Sequence, residues 1–429
     1  MCQEDSNWGA RKMDLEGSVL VSGENLKRWR LICDLIEGRK TQIEVAEKLS
    51  LSDRQVRRLK WKVEQNGIEN LVHGLRGRRS NNCMSDAKKD LVLNLWNSKY
   101  REAKLNFTHF TQKLNEVENV IIGKETVRRL LRDKNVVDRP PKKGRKHRRW
   151  RERRAQFGEL LQQDTSPHDW LSTGKKQHAV VIVDDATSKL LYCQLFEHDG
   201  SIPNMLAMQS VFLKYGLPMG LYTDRASWFF TTHKNRIVNG PPKITGLSDF
   251  RTQIGRALNE LGVEFIPAFS PQAKGRVERA NGTLQDRLIA ELKLQKITDI
   301  DQANDYINAI FIADYNSRFG KEPADTTSAF VTGVSPEQLK EILCLKFTCR
   351  VAKDNTVTRA KYFKLQLEPS IDRINWSQAK VQVRIYPDLT VKVLHEPSQK
   401  LVPFKIIEIK KIREPKSPSE LPDVQKISA

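Results

Sequence analysis

The order of β-prone and helix-prone runs between residues 157 and 294 constrains the fold of this chain more than any other feature. Residues 157–163 read as a short strand that Asp164 closes and Thr165-Ser166-Pro167 breaks. Residues 179–183 and 190–195 are two further β-prone runs, and Asp184-Asp185-Ala186-Thr187-Ser188 between them has the make-up of a hairpin turn. A helix near residues 203–215 leads through the turn Gly216-Leu217-Pro218 to a strand at residues 221–223. Residues 263–266 make another strand, after which Val277, Leu284, Leu288 and Leu292 recur at helical spacing. The order β-β-β-α-β-α-β-α predicts a mixed five-stranded α/β sheet with helices on its faces.

Three carboxylates sit at telling places in that order. Asp164 and Asp224 each end a strand, and Glu278 lies in the first turn of the helix opened by Ser270-Pro271-Gln272-Ala273-Lys274-Gly275. With 52 acidic residues in 429, an Asp-Asp-Glu triple by itself carries no weight. Placement at two strand ends and a helix start carries more, and if the three converge in space they can hold divalent cations, which take hard oxygen donors. Asp184 and Asp185 are rival carboxylates, but a turn between paired strands is a common place for aspartate, and they read as turn residues.

The balance of 73 basic against 52 acidic residues, a net +21, points to a polyanionic partner. The excess lies on the flanks: residues 1–150 carry a net +14, whereas residues 161–330 carry −1. Six scattered cysteines form no Cys-x-x-Cys pair, which argues for reduced thiols and against a disulfide framework or a zinc site. No apolar stretch reaches membrane-span length and no signal-peptide core opens the chain, so the expectation is a soluble cytoplasmic protein with no membrane partner.

Residues 1–24 are polar and read as a flexible N-terminus. In residues 25–73, Trp29, Ile32, Cys33 and Ile36 share one helix face, and Thr41–Glu44 and Ser52–Gln55 are capping boxes that start two short helices. This is a helix-turn-helix plan with Val56, Leu59 and Val63 inside and Arg54, Arg57, Arg58 and Lys62 outside, the last helix being a candidate major-groove reader. A plain helical bundle with a solvated basic face fits the same residues. Residues 74–84 form a basic linker whose Arg76, Arg78 and Arg79 suit either a minor-groove arm or an ordinary connector. Residues 85–138 repeat the helical plan, with helices over 86–96, 107–114 and 124–132, the last placing Val127, Leu130 and Leu131 inside and Arg128, Arg129 and Arg132 outside. Residues 139–156 are a second basic linker, with ten lysines and arginines between 139 and 154, among them Arg145, Lys146, Arg148 and Arg149. It suits phosphate tracking, a solvated connector or a nuclear targeting signal. After the core at 157–325, alternation at Val381, Val383 and Ile385 against Gln382 and Arg384 suggests a small β-barrel over 335–410 with basic exposed positions, followed by a disordered tail at 411–429.

Thr223-Asp224-Arg225-Ala226-Ser227, the run from Ser270 to Gly282 containing Arg276-Val277-Glu278-Arg279-Ala280-Asn281, and Tyr315-Asn316-x-Arg318 together resemble the DDE transposase and retroviral-integrase superfamily, most of all ISNCY-type insertion-sequence transposases. The resemblance implies a multidomain chain: tandem helix-turn-helix modules, a central ribonuclease H-like mixed sheet and a C-terminal barrel. It implies Asp164, Asp224 and Glu278 as catalytic and metal-binding residues for two Mg2+ ions, with Mn2+ as a substitute and no other cofactor. The implied reaction is cleavage at terminal inverted repeats followed by strand transfer. The implied partners are double-stranded DNA, as element ends and as target, and further copies of the chain in a homodimer or larger synaptic complex, and the implied location is cytoplasmic and nucleoid-associated. Lys274, Arg276 and Arg279 would clamp phosphates near the scissile bond or stand as surface charges on a helix start, and Asn281 would orient Glu278 or touch DNA. Trp228 and Phe229 suit stacking on an unpaired base or core packing. Two departures stand out: Asp224 and Glu278 are 54 positions apart, and Ala226 stands where glycine is common. The added length is read as an inserted loop over residues 229–250. A DNA-binding regulator with an inactive integrase-like core is the alternative, as is a metal-dependent nuclease without strand transfer.

Overall fold

The computed structural model describes residues 23–71, 83–136, 151–224, 226–229, 252–267, 275–359, 362–371 and 373–409. The N-terminal stretch to residue 22, the arm carrying Arg76, Arg78 and Arg79, the linker segment with Arg145, Lys146, Arg148 and Arg149, nearly all of the expected 229–250 insertion, Lys274 and the tail lie outside them. The chain divides into two compact units, Met1–Asp90 and Leu91–Ala429.

In the first unit, α1 (Gly23–Ile36), α2 (Gln42–Leu49) and α3 (Asp53–Asn66) enclose a small core of Ile32, Val45, Val56, Val63 and Leu71. Both capping boxes form: the Thr41 side chain accepts from the Glu44 amide, and the Ser52 side chain accepts from the Gln55 amide. Ser50 at φ 54° turns the chain between α2 and α3. Arg54, Arg57, Arg58 and Lys62 are exposed on α3, together with Trp61. Ser52→Ala removes the acceptor that starts α3 and is expected to cost about 1 kcal/mol. Faster amide exchange confined to α3 is the measurement that checks it.

The helices α4 (Asp86–Leu95), α5 (Phe107–Glu116) and α6 (Lys124–Asp133) follow. The Phe110 ring meets Trp96 edge-on at 4.9 Å and Tyr100 at 5.4 Å. On α6, Val127, Leu130 and Leu131 are buried, Arg128 and Arg129 are exposed, and half-buried Arg132 lies over the Phe107 ring.

Next come β1 (Gln156–Phe157), β2 (Leu160–His168), β3 (Gln177–Asp184), β4 (Leu190–Phe196), α7 (Ser201–Tyr215), β5 (Gly220–Thr223), α8 (Gln253–Glu260), β6 (Glu264–Pro267), α9 (Gly275–Leu294), α10 (Ile300–Tyr306) and α11 (Ile312–Phe319). Strands β2 to β6 form one sheet in the order β4-β3-β2-β5-β6, with β3 antiparallel to β2 and β4, and β5 parallel to β2 and β6. Alternation decides what covers each face. Ala179, Val181 and Val183 pack under Val277, Leu284 and Leu288 of α9, whereas Val180 and Ile182 pack under Met205, Met208 and Phe212 of α7.

Two expectations need correction. β2 runs on through Thr165, Ser166 and Pro167 and does not break there. β5 pairs with β2 only as far as Gln162, so beyond Asp164 that side of β2 is an edge, where a residue without an N–H is tolerated. The strand also starts later than expected, because Gly158 at φ +86° turns the chain against the Phe330 ring and has no room for a Cβ.

The C-terminal region contains β7 (Asp325–Ser328), which pairs with β1, then α12 (Pro336–Ile342), β8 (Leu345–Arg350), β9 (Thr356–Arg359), β10 (Phe363–Leu367), β11 (Lys380–Ile385), β12 (Val391–His395) and β13 (Phe404–Ile409). These last six strands make two open three-stranded sheets, β13-β10-β9 and β12-β11-β8, and not a closed barrel. Each sheet is too short to curl round and meet its own edge. Nor are its basic positions all free, since Arg384 and Lys392 both pair with Glu341. Val381, Val383, Phe363 and Leu365 belong to one continuous apolar cluster with Leu161, Met208 and Ile254 of the core.

On α9, Glu291 receives hydrogen bonds from His109 at 2.6 Å and Lys113 at 2.9 Å. Burial works to raise its carboxyl, but those bonds outweigh it and hold the group at about 2. A carboxyl depressed on folding stabilises fully above its ordinary value near 4.5 and loses that contribution as pH falls toward about 2. Acid titration followed by amide exchange in α5 should therefore show a steeper loss across that window in the native chain than in Glu291→Gln.

Candidate functional site

Parallel strands β2 and β5 lead toward the first two carboxylates. Leu160 pairs with Gly220 and Gln162 with Tyr222; the pairing ends there, and Asp164 and Asp224 each lie two residues beyond it. Neighbouring strands lie about 4.8 Å apart, and residues two apart on a strand share a face. Asp164 therefore faces the same side as Gln162, toward α9. The Asp164 carboxylate accepts a 2.8 Å bond from Asn281 Nδ2, and Asp224 accepts from the Ala226 amide at 3.0 Å. Both acids are half-buried.

Glu278 lies one turn ahead of Asn281 on α9 and is exposed. Among the described residues no three His, Cys, Asp or Glu side chains gather closely enough to hold a metal ion. Asn281 of α9 is thus bonded to Asp164, while Glu278 on the same helix is exposed to solvent. The donor set is all carboxylate oxygen, the chemistry a hard divalent cation takes, and the buried Asn281 Oδ1 beside it has no hydrogen-bond partner.

A buried network fixes the start of α9. Asp185 is fully buried and pairs with Arg151 and, at 3.2 Å, with Arg276. It also accepts from Gln162 Nε2 at 2.6 Å and from the Arg154 amide at 2.9 Å. Gln162 Oε1 in turn accepts from the Val277 amide at 3.2 Å, satisfying an N–H that the first turn of a helix leaves open. Burial draws the Arg276 pKa down from the usual arginine value, against the pull of Asp185. Arg276 is 7% exposed and so does not join the phosphate clamp expected of it. Asn281, likewise 7% exposed, holds Asp164 and not Glu278.

Asp184 braces the turn, accepting from the Gly158 amide at 3.0 Å and from the Thr187 amide and hydroxyl at 2.7 Å. Burial pushes its carboxyl above the ordinary aspartate value despite those bonds. Phe229 is buried in the core, with Trp228 packed against the same cluster. Of the motif Tyr315-Asn316-x-Arg318, Asn316 bonds both the amide and the carbonyl of Leu190. Arg279 is exposed, its Nε donating to the Gly275 carbonyl at 2.8 Å.

Compared with known proteins, 331 residues of the chain are 33% identical to "Putative transposase y4bF" of Sinorhizobium fredii strain NBRC 101917 / NGR234, covering 76% of the chain and 69% of that protein. The chain belongs to the DDE transposase and retroviral-integrase superfamily. A second member, the transposase for insertion sequence IS1202 of Streptococcus pneumoniae, is 28% identical over 351 residues, 74% of this chain and 72% of that one. No family model matches. Among solved structures, the HTLV-2 integrase catalytic core domain in complex with magnesium aligns over 37% of the chain and 91% of its own length, at 18% identity and a TM-score of 0.26. A score that low decides nothing, and superfamily membership rests on the sequence relatives. Gln162 and Asp185 were not legible in the sequence: a buried glutamine carries no motif, and Asp185 looked like any hairpin aspartate. Among the described residues no helix is long and apolar enough to cross a membrane.

Proposed function

We propose that this chain is a DDE transposase that binds the terminal inverted repeats of a mobile element and catalyses metal-dependent strand cleavage and strand transfer. The observation that supports the reading is the bond from Asn281 of α9 to Asp164, on a strand whose pairing with β5 ends two residues short of both Asp164 and Asp224. Asp164, Asp224 and Glu278 would hold two Mg2+ ions, which when bound activate the attacking oxygen and stabilise the leaving one. Asn281 orients the Asp164 carboxylate, and the Asp185–Gln162 network sets the first turn of α9 and with it Glu278. Arg279 stands at that edge of the sheet for a phosphate. Arg54, Arg57 and Arg58 on α3, read as the second helix of a helix-turn-helix, and Arg128 and Arg129 on α6 supply exposed cations for the DNA.

Incubating the chain with Mg2+ and duplexes carrying the inverted repeats that flank its coding sequence should yield joined products. Binding with neither cutting nor joining would favour the regulator, and cutting without joining the nuclease. Affinity for the ends should fall steeply with salt, and removing Arg54, Arg57 and Arg58 together should flatten the log–log slope by about 0.9 for each phosphate they neutralise. An unchanged slope would exclude α3 from the interface.

A further inference from the structure

One face of α5 lies along α9 and α11 through a seam of charged and amide side chains. Asn106 bonds Asp286, His109 and Lys113 bond Glu291, Gln112 bonds Arg287, and Glu116 takes two bonds from Arg318 at 2.7 and 2.9 Å. Asn106 caps α5, and His109, Lys113 and Glu116 follow at intervals of three or four with Gln112 beside Lys113, so one stripe of the helix engages. Much of the seam is buried: His109 is 2% exposed, Arg287 6% and Glu291 7%. Arg287 also lies over the Phe319 ring at 5.0 Å. Buried pairs are little screened by salt, so the seam keeps its geometry where exposed bonds to DNA weaken.

What the seam joins gives it meaning. On one side, α5 packs with α6, the helix that exposes Arg128 and Arg129. On the other, α9 is a single 20-residue helix whose first turn carries Glu278 and whose later turns carry Asp286, Arg287 and Glu291. At about 1.5 Å per residue, roughly 20 Å of rigid helix separates Glu278 from Glu291. The helix pair that exposes Arg128 and Arg129 is therefore fixed to the same rod that carries Glu278.

We propose that the α5–α9 seam is a ruler: it fixes the distance between the DNA held by α6 and the phosphodiester presented at Asp164, and so selects which bond is cut. The inference rests on the transposase reading above and adds to it a role for residues far from the acids. Arg318, in the motif that the sequence singled out, then acts as a positioning residue that clamps α5.

The test uses the full chain with Lys113→Glu and Glu116→Arg, which set like charges opposite Glu291 and Arg318. End-labelled duplexes bearing the element's end and Mg2+ report cut positions to the nucleotide, and titration reports binding. The native chain should cut at one position. The double variant should scatter cuts over neighbouring phosphodiesters while binding ends within about threefold, as expected of changes made away from the DNA-contacting residues. A milder pair, Lys113→Met with Glu116→Gln, removes the Lys113 bond and weakens the Arg318 bonds without repulsion, guards against misfolding and should give a partial scatter. A single unshifted cut from both variants overturns the ruler, as does loss of all cutting with binding intact. A native chain that cuts nothing would overturn the transposase reading and the ruler with it.

Discussion

Glu278→Gln is expected to abolish strand cleavage and joining while leaving DNA binding and folding almost untouched. The amide keeps the size of the side chain but removes the charge that a hard divalent cation selects. Metal-assisted charge stabilisation supplies several kcal/mol, and each 1.36 kcal/mol is a factor of ten, so a rate loss of about three orders of magnitude or more follows. The fold should not notice, because Glu278 is exposed, and substitutions at such surface positions fall within about ±0.5 kcal/mol. Cleavage assays on end-bearing duplexes, with a binding titration alongside, separate the two effects. Activity within tenfold of native would remove Glu278 from the reaction.

Asp185→Ala should produce the largest loss of stability. Its carboxylate lies between the Arg151 and Arg276 guanidiniums, and Arg276 has almost no access to water. Removing one partner of a buried ion pair leaves an uncompensated charge and costs about 3–5 kcal/mol. Here the change also releases Gln162, and with it the bond that holds the Val277 amide from outside α9. Thermal unfolding should shift accordingly, and amide protection should fall first at the start of α9. The double variant Asp185→Leu with Arg276→Met, which removes both charges, should cost less than the sum of the single changes. A cost below about 1 kcal/mol for Asp185→Ala would mean that water already reaches the pair.

Much of the fold was legible because it depends on local chemistry. Thr41 with Glu44 and Ser52 with Gln55 start helices by bonds made within four residues, and the alternation at 179–183 assigns each side chain to a face without knowing the partner. The setting of the acids was legible in part: Asp224 follows the last residue of its strand and Glu278 lies in the first turn of its helix, but Asp164 stands inside β2 and not at its end. What the sequence hid depends on distant partners. Pro167 stops a strand only where both sides are paired, and nothing near it tells that β5 has already ended. The hairpin reading of Asp185 was right about its position and blind to its partners, since Arg151 and Arg276 approach from the linker and from α9. Alternation in the C-terminal strands showed which residues are inside, but closure depends on strand number and length, and two sheets of three stay open.

The apolar cluster that runs from Leu161 and Met208 through to Val381 and Leu365 makes the sequence boundary near residue 330 a boundary of motif only. Cooperative unfolding follows shared buried surface, so the five-stranded sheet and the two C-terminal sheets should melt in one transition. Ending the chain after Ser328 would strand one side of that surface in water. A catalytic fragment cut there is expected to aggregate, whereas one that keeps the strands to residue 409 retains a complete interior.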